Sequence, residues 1–383
     1  MKKVPYIPLE NQPLFRCFLS VKDPRVPGRC FYPLHEILLI VLCALVAGCT
    51  TWKSIELFGR ERYGWLKQFI DLIHGIPSHL TFARVFSLID PKQFEQCYRE
   101  WISYQVSFIH EELINVDGKT IRGSYHHASD KKAAHIVSAY LPRQGIALGS
   151  EKTEQKSNEI KAIPILLNAL PIEGCIITMD AMGTQKGIAK LIRLKKSHYM
   201  LALKKNHKRF YNKVAQSFSR ADELNFKAMV YRQGSSDDYG HHRIEKRQYT
   251  ILPSMYLPRY QQEWKDCQAF IRVESSRYCL TKKKEETSCC YYITSLPFQR
   301  HQKMCESIRG HWGIENGLHY KLDVGLHEDA THICRGYAAE NLAVMRKMTL
   351  ALLQKEKKTS AGIALQCTQA ALSSKYLRKV VGF

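Results

Sequence analysis

The chain has 383 residues, 45% of them hydrophobic, enough to bury a sizeable core spread over two or three domains. Fifty-seven lysines and arginines against 35 acidic residues give a formal charge of +22, which points to a polyanion as partner. Thirteen scattered cysteines, with no C-x-x-C pair, exclude a zinc ribbon and a disulfide scaffold and read as reduced thiols of a cytoplasmic protein.

Residues 1 to about 32 read as an extended arm, with Pro5, Pro8 and Pro13 and a turn over Asp23-Pro24-Arg25-Val26-Pro27-Gly28, and not as a signal peptide. From Pro33 the pattern is helical. Leu34 to Cys49 is apolar nearly all round but too short to span a bilayer, and Gly48 with Thr50 and Thr51 breaks it. Trp52 to Phe69 sets Ile55, Phe58, Trp65 and Phe69 on one face. Ser78 or Thr81 caps a helix through Phe82, Val85, Phe86 and Leu88, and Asp90-Pro91 opens another that runs to about Phe108. Residues 1–108 are thus a helical N-terminal domain, its helix pairs compatible with binding a DNA end.

Over 109–205 strands and helices alternate. Leu113 to Val116 is an apolar run that delivers Asp117 to the end of a strand, with Gly118 allowing a sharp turn or the close approach of a substrate backbone. His135–Leu141 and Ile146–Gly149, around Arg143-Gln144-Gly145, complete an antiparallel meander. A helix over Glu159–Leu170 precedes a second apolar run that ends at Asp180, with Gly183 just beyond; Gln185–Lys196 is helical and His198–Leu203 a fifth strand. This succession is the ribonuclease-H-like plan, an α/β mixed sheet flanked by helices, in which the first and fourth strands are neighbours. That adjacency brings Asp117 and Asp180 together.

Residues 206–298 read as a β-rich insertion, with strands in His242–Thr250, Ala269–Val273 and Cys289–Thr294 and a solvated loop at Lys282–Glu286. Residues 299–383 return to helix as the C-terminal part of the catalytic domain. His301 to about Leu322 holds Gly310, Gly313 and Gly317, which something other than helix propensity must favour. Glu315 is the candidate third carboxylate, with His311 and His319 one turn either side; spacing leaves Asp323, Glu328 and Asp329 as competitors. A final helix, Ala338–Lys355, packs on the sheet.

Three such acids hold two hard Mg²⁺ ions, or Mn²⁺ in their place, which clamp the attacking and leaving oxygens of an in-line phosphoryl displacement with water or a DNA 3′-hydroxyl as nucleophile. Lys119, Arg122, Lys156, Lys204, Lys205, Arg243, Lys246 and Arg309 are the candidates to grip phosphates of double-stranded DNA beside the metals. No G-x-x-x-x-G-K-[ST] loop is present to imply nucleotide hydrolysis, and no basic amphipathic helix implies a membrane.

The successive stretches "VDGKTIRGS", "KSNEI", "TMDAMGTQ", "HHRIE" and "HWGIENGLHYKLDVGLHEDA", with "DPR" and "GIPSHLTFARVF" ahead of them, resemble the signatures of DD(E) insertion-sequence transposases of the H-repeat-associated type with their helical associated domain. The resemblance covers nearly the whole chain. It implies a ribonuclease-H-like fold with a β insertion before the glutamate, Mg²⁺-dependent DNA cleavage and strand transfer, and Asp117, Asp180 and Glu315 as the triad. Two departures flank the presumed site: Lys205 and His207 stand where the family tends to read glycine and glutamine in "LKGNQ", and His242 replaces the glycine of "HGRIE". Because two element ends are processed together, a homodimer on nucleoid DNA is expected. A metal-dependent nuclease without joining activity and a catalytically silent DNA-binding relic are the alternatives.

Overall fold

The computed structural model describes residues 12–106, 109–125, 132–153, 159–240, 242–281, 283–356 and 362–383. The expected extended arm instead contains helix α1 (Pro13–Ser20). Pro13 occupies its first position, and Leu14, Phe15, Cys17 and Phe18 are buried along one face. Helix α2 (Leu34–Val46) is buried almost throughout, which is why its sequence is apolar all round. Gly48, at φ +81°, turns the chain, and Thr51 opens α3 (Trp52–Glu61) through a reciprocal cap with Ser54. The single helix expected over 52–69 breaks at Arg62, where α4 (Tyr63–Leu66) begins. Ser78 caps α5 (His79–Leu88) and Asp90 caps α6 (Pro91–Ser103).

Strands β1 (Leu113–Thr120), β2 (His135–Leu141) and β3 (Ile146–Thr153) form the antiparallel meander. Helix α7 (Glu159–Asn168), β4 (Ile176–Met179), α8 (Lys186–Leu194) and β5 (His198–Leu203) follow. β4 lies parallel to β1, and β5 parallel to β4, so the order β3-β2-β1-β4-β5 is the ribonuclease-H-like one.

The following region begins with a long helix, α9 (Lys208–Glu223), whose buried Phe210, Val214, Phe218 and Ala221 are spaced for one face. After it come β6 (Arg232–Gly240), β7 (Arg243–Pro253), α10 (Pro258–Glu263), β8 (Ala269–Cys279) and β9 (Lys284–Thr294). β9 pairs antiparallel with β5, so these strands extend the first sheet; among the described residues it has nine. Lys284, Glu285 and Glu286 belong to β9 and pair with β8, leaving a shorter hairpin turn than the expected loop.

Helix α11 (His301–Gly310) leads through two π-wound stretches, Glu315–His319 and Lys321–Gly325, to α12 (Ala338–Lys355), and then to α13 (Ile363–Leu372) and α14 (Ser374–Val381), which the sequence reading left unassigned. Every residue of α12 from Ala338 to Leu353 is buried. It packs on β3, as expected of a helix covering the sheet, and equally on α2, α5 and α6, so one apolar core runs from Leu14 to Val381. A buried polar link repeats that connection: Glu95 of α6 accepts from the Ser150 N–H (2.6 Å) and hydroxyl (2.8 Å) of β3, and Lys347 of α12 donates to the same hydroxyl at 2.5 Å. Among the described residues no helix is long and apolar enough to cross a membrane.

Candidate metal and nucleic-acid site

β1 does not end at Asp117. Leu113 to Val116 pair with Ile176 to Met179; β4 stops there while β1 continues to Thr120, so Asp117 and Asp180 are the next residues on neighbouring strands. Gly118 therefore makes no turn. It is a strand residue opposite Val137, and a Cβ there would run into Glu159 Oε1 and His135 Nε2. Those two form a buried pair at 2.5 Å, and His135 Nδ1 lies 2.8 Å from the Thr120 hydroxyl. Sequence reasoning missed this pair, although Glu159 lies in the quoted "KSNEI" stretch; nothing in its spacing shows that α7 and β2 meet over Gly118.

Asp180 is fixed by its own turn: Oδ1 accepts the N–H groups of Met182 (2.9 Å) and Gly183 (3.3 Å). The segment after β5 clamps that turn, with Asn206 Nδ2 donating to the Ala181 carbonyl at 2.8 Å and His207 Nε2 to the Thr184 carbonyl at 2.7 Å. His207, which with Lys205 makes up the first departure from the resembled pattern, thus supplies a side-chain N–H here. His242, the other departure, sits in the β6–β7 turn at φ +57°, where glycine is freer than any other residue.

The helical run that carries Glu315 repeats every four residues: His311, Glu315, His319 and Asp323 on one face; Trp312, Asn316, Tyr320 and Val324 on the next; Gly313, Gly317, Lys321 and Gly325 on the third; and Ile314, Leu318, Leu322 and Leu326 on the fourth. In an α-helix such a repeat drifts about 40° per turn. The wider π turns offset that drift, so the fourth face stays buried throughout, at 2% exposure or less. The glycines serve close approach. A Cβ at Gly317 would meet the Tyr140 hydroxyl, one at Gly313 would stand 2.7 Å from Pro142 Cβ, and one at Gly310 would meet Leu113. Asn115 and Thr178 tether the start of this run, Asn115 Nδ2 donating to the Gly310 (2.8 Å) and His311 (3.2 Å) carbonyls and Thr178 Oγ1 lying 2.9 Å from His311 Nδ1.

Among the described residues Asp117, Asp180 and Glu315 form no ion pair with lysine or arginine; Asp117 has only His319, at 3.8 Å. Burial pushes the Asp117 carboxyl up to about 7, and the nearby charges of Asp180, Glu159 and Glu315 add to it. Burial also raises Glu315 and lowers His311 and His319 to about 4, so both imidazoles are neutral at pH 7. The competing acids are placed otherwise: Lys119 Nζ lies 2.7 Å from Asp323, 3.0 Å from Glu328 and 2.9 Å from Asp329. The unneutralised set, all oxygen donors, suits a hard divalent cation. Among the described residues no group of three His, Cys, Asp or Glu side chains is already placed to hold a metal ion.

The basic candidates divide. Lys204 and Lys205 are exposed where β5 ends, Lys204 within electrostatic reach of His311. Arg243 is exposed and lines a cleft of about 890 Å³ between the β6–β7 hairpin, the Trp312–Asn316–Tyr320 face and the start of α13. Lys246 is exposed too, but strand alternation points it to the opposite face from Arg243. Arg309 donates to Asp238 at 2.6 Å, and Arg122, 83% exposed, stands 3.6 Å from Asp329. Lys156 lies outside the described residues. Arg277, Trp312 and Tyr320, which also line the cleft, were not among the sequence candidates.

A sheet of this order, flanked by helices and with β1, β4 and β5 parallel at its centre, defines a ribonuclease-H-like α/β protein. The transposase DDE domain model matches residues 110–352 and the DDE_Tnp_1-associated model residues 15–102, and the chain belongs to this DDE transposase family. It is similar to the putative transposase YncI of Escherichia coli O157:H7, 38% identical over 94% of this chain and 92% of that one. To the H repeat-associated putative transposase YhhI of Escherichia coli K12 it is 35% identical over 97% and 98%. A solved structure, the piggyBac transposase synaptic complex with hairpin DNA, aligns with 97% of this chain and 82% of that one at 11% identity and a TM-score of 0.45.

Proposed function

We propose that the chain cuts DNA at the ends of its element and joins those ends to a target, using Mg²⁺ or Mn²⁺ held by Asp117, Asp180 and Glu315. The observation that carries this reading is the charge imbalance: three acids within electrostatic reach, none neutralised by a lysine or arginine among the described residues, with Asp117 raised to about 7. Bound there, a pair of ions would supply the charge that activates water or a 3′-hydroxyl and stabilises the leaving oxygen. The protein contributes placement. β1 and β4 fix the two aspartates side by side, the clamped turn orients Asp180, and the glycine face seats Glu315 against the sheet. Neutral His311 and His319 do not compete as counter-ions. Lys204, Lys205 and Arg243 hold the DNA backbone, with Arg122 at the margin and Lys246, on the other face of β7, away from it. By role the chain divides at about residues 108, 205 and 298, with the N-terminal helices gripping element ends, and two protomers act together on nucleoid DNA.

The test offers purified protein oligonucleotides with the sequences flanking its own gene, a target plasmid, and Mg²⁺ or Mn²⁺. Cleaved ends and joined product are expected, both lost in Asp180→Asn while DNA binding persists. Cleavage without joining would identify a nuclease; binding without cleavage, indifferent to Asp180→Asn, would identify a silent relic. A strand-transfer complex with one end and one protomer would overturn the dimer.

A further inference from the structure

We infer that Lys119 is a positioning residue and not a DNA contact: its ammonium group, seated among Asp323, Glu328 and Asp329, pins the Glu315-bearing helix to the strand that carries Asp117. The inference rests on the reading of Asp117 and Glu315 as metal ligands. Lys119 follows Asp117 by two residues in β1, hence on the same face of the strand. Asp323 follows Glu315 by two four-residue turns on the same face of its helix. One ammonium at 2.7, 3.0 and 2.9 Å from three carboxylates, with its side chain 11% exposed, joins the two supports of the site just beyond the acids themselves.

Other cations face the cluster too. Arg122 donates its backbone N–H to Asp329 at 3.1 Å, buried Arg346 lies within electrostatic reach of the same three acids, and buried Lys347 within reach of Glu328. A DNA phosphate approaching Lys119 would bring one negative charge against three that already hold it. The backbone repeats the joint: Ile333 N–H donates to the Gly123 carbonyl at 3.1 Å, and a Cβ at Gly123 would collide with the Thr331 carbonyl. Lys119 resembles a phosphate-gripping residue only while its partners, 204 to 210 positions away in sequence, are out of view.

The test compares the full-length protein with Lys119→Met, Lys119→Arg and Asp329→Asn. It measures Mn²⁺ uptake without DNA, by the electron paramagnetic resonance of free Mn²⁺, and DNA affinity across salt concentrations without metal. Lys119→Met and Asp329→Asn are expected to weaken Mn²⁺ uptake roughly 10–100-fold, Lys119→Arg to restore part of it, and all three to keep the salt slope of DNA binding. Unchanged Mn²⁺ uptake, with a slope lowered by about one in Lys119→Met and tighter DNA binding in Asp329→Asn, overturns the inference. If Lys119→Met does not fold, Asp329→Asn decides, since the two readings predict opposite changes for it. An unsubstituted protein that takes up no Mn²⁺ overturns the parent reading and this one together; uptake that ignores the substitutions overturns this one alone.

Discussion

In the half of the sheet formed by β3, β2, β1, β4 and β5, the strands are buried and their acids at the site lack basic partners among the described residues. In the half formed by β9, β8, β7 and β6, much of the strand surface is exposed and several acids are paired with arginines: Arg247 with Asp238 and Glu245, Arg272 with Glu274 and with Asp222 of α9, Arg277 with Glu245. The same residue types serve both halves. What separates them is pairing: where a carboxylate meets a guanidinium the charge is structural, and where Asp117 stands without one, burial and the neighbouring acids raise it.

Substitutions that remove charge from each half test that contrast most severely. Asp117→Asn, Asp180→Asn or Glu315→Gln should each lower DNA cleavage on the order of a thousandfold or more, whereas Glu245→Gln in β7 should change it less than about tenfold. Equal losses in cleavage assays would break the comparison. Next in size is the pH dependence of metal-free stability. Asp117 is raised in the folded chain to about 7, so the unfolded chain releases its proton first. Stability should therefore fall as pH rises from about 4 to 7, by on the order of 2–4 kcal/mol. Denaturant titrations at pH 5 and 7.5 should show that fall in the unsubstituted chain, reduced in Asp117→Asn and reversed by Mn²⁺; a profile untouched by the substitution would count against the unpaired-acid account.

Gly317→Ala sharpens the contrast from the packing side. Its Cβ meets the Tyr140 hydroxyl, so a loss of about 1–3 kcal/mol is expected in denaturant titrations. Tyr140→Phe in the same chain should recover part of it; no recovery would mean that Gly317 matters for another reason. The smallest effect belongs to the exposed half. Arg243→Ala should weaken DNA binding a few-fold and lower the salt slope by about one, with cleavage of bound DNA unchanged.

Much of the β3-β2-β1-β4-β5 half of the sheet and of the helices beside it was legible because burial on all sides writes long apolar runs: β1, β4, β5, α2 and α12 stand close to where the sequence puts them. Adjacency of Asp117 and Asp180 followed from strand order alone. The misses share a cause, dependence on a distant partner. β6, Arg232–Gly240, is polar throughout and is a strand because β7 pairs with it. Helices α1 and α9 hide short apolar faces among prolines or charges. Gly118 reads as a turn or a point of substrate approach until His135 and Glu159 are seen above it, and the glycines of the 311–326 run, which helix propensity does not explain, find their reason only against Tyr140 and Pro142.

Burial of α12 on every side has a consequence for synthesis. Helix α12, made well after β1–β4, is the one that both the N-terminal helices and the β3 side of the sheet need to complete their interior. A nascent chain that already displays Asp117 and Asp180 has neither a sealed interior nor Glu315, so the order in which domains usually mature, front to back, is closed to it. An interrupted copy of the gene would yield an unfinished globule, not a smaller working protein.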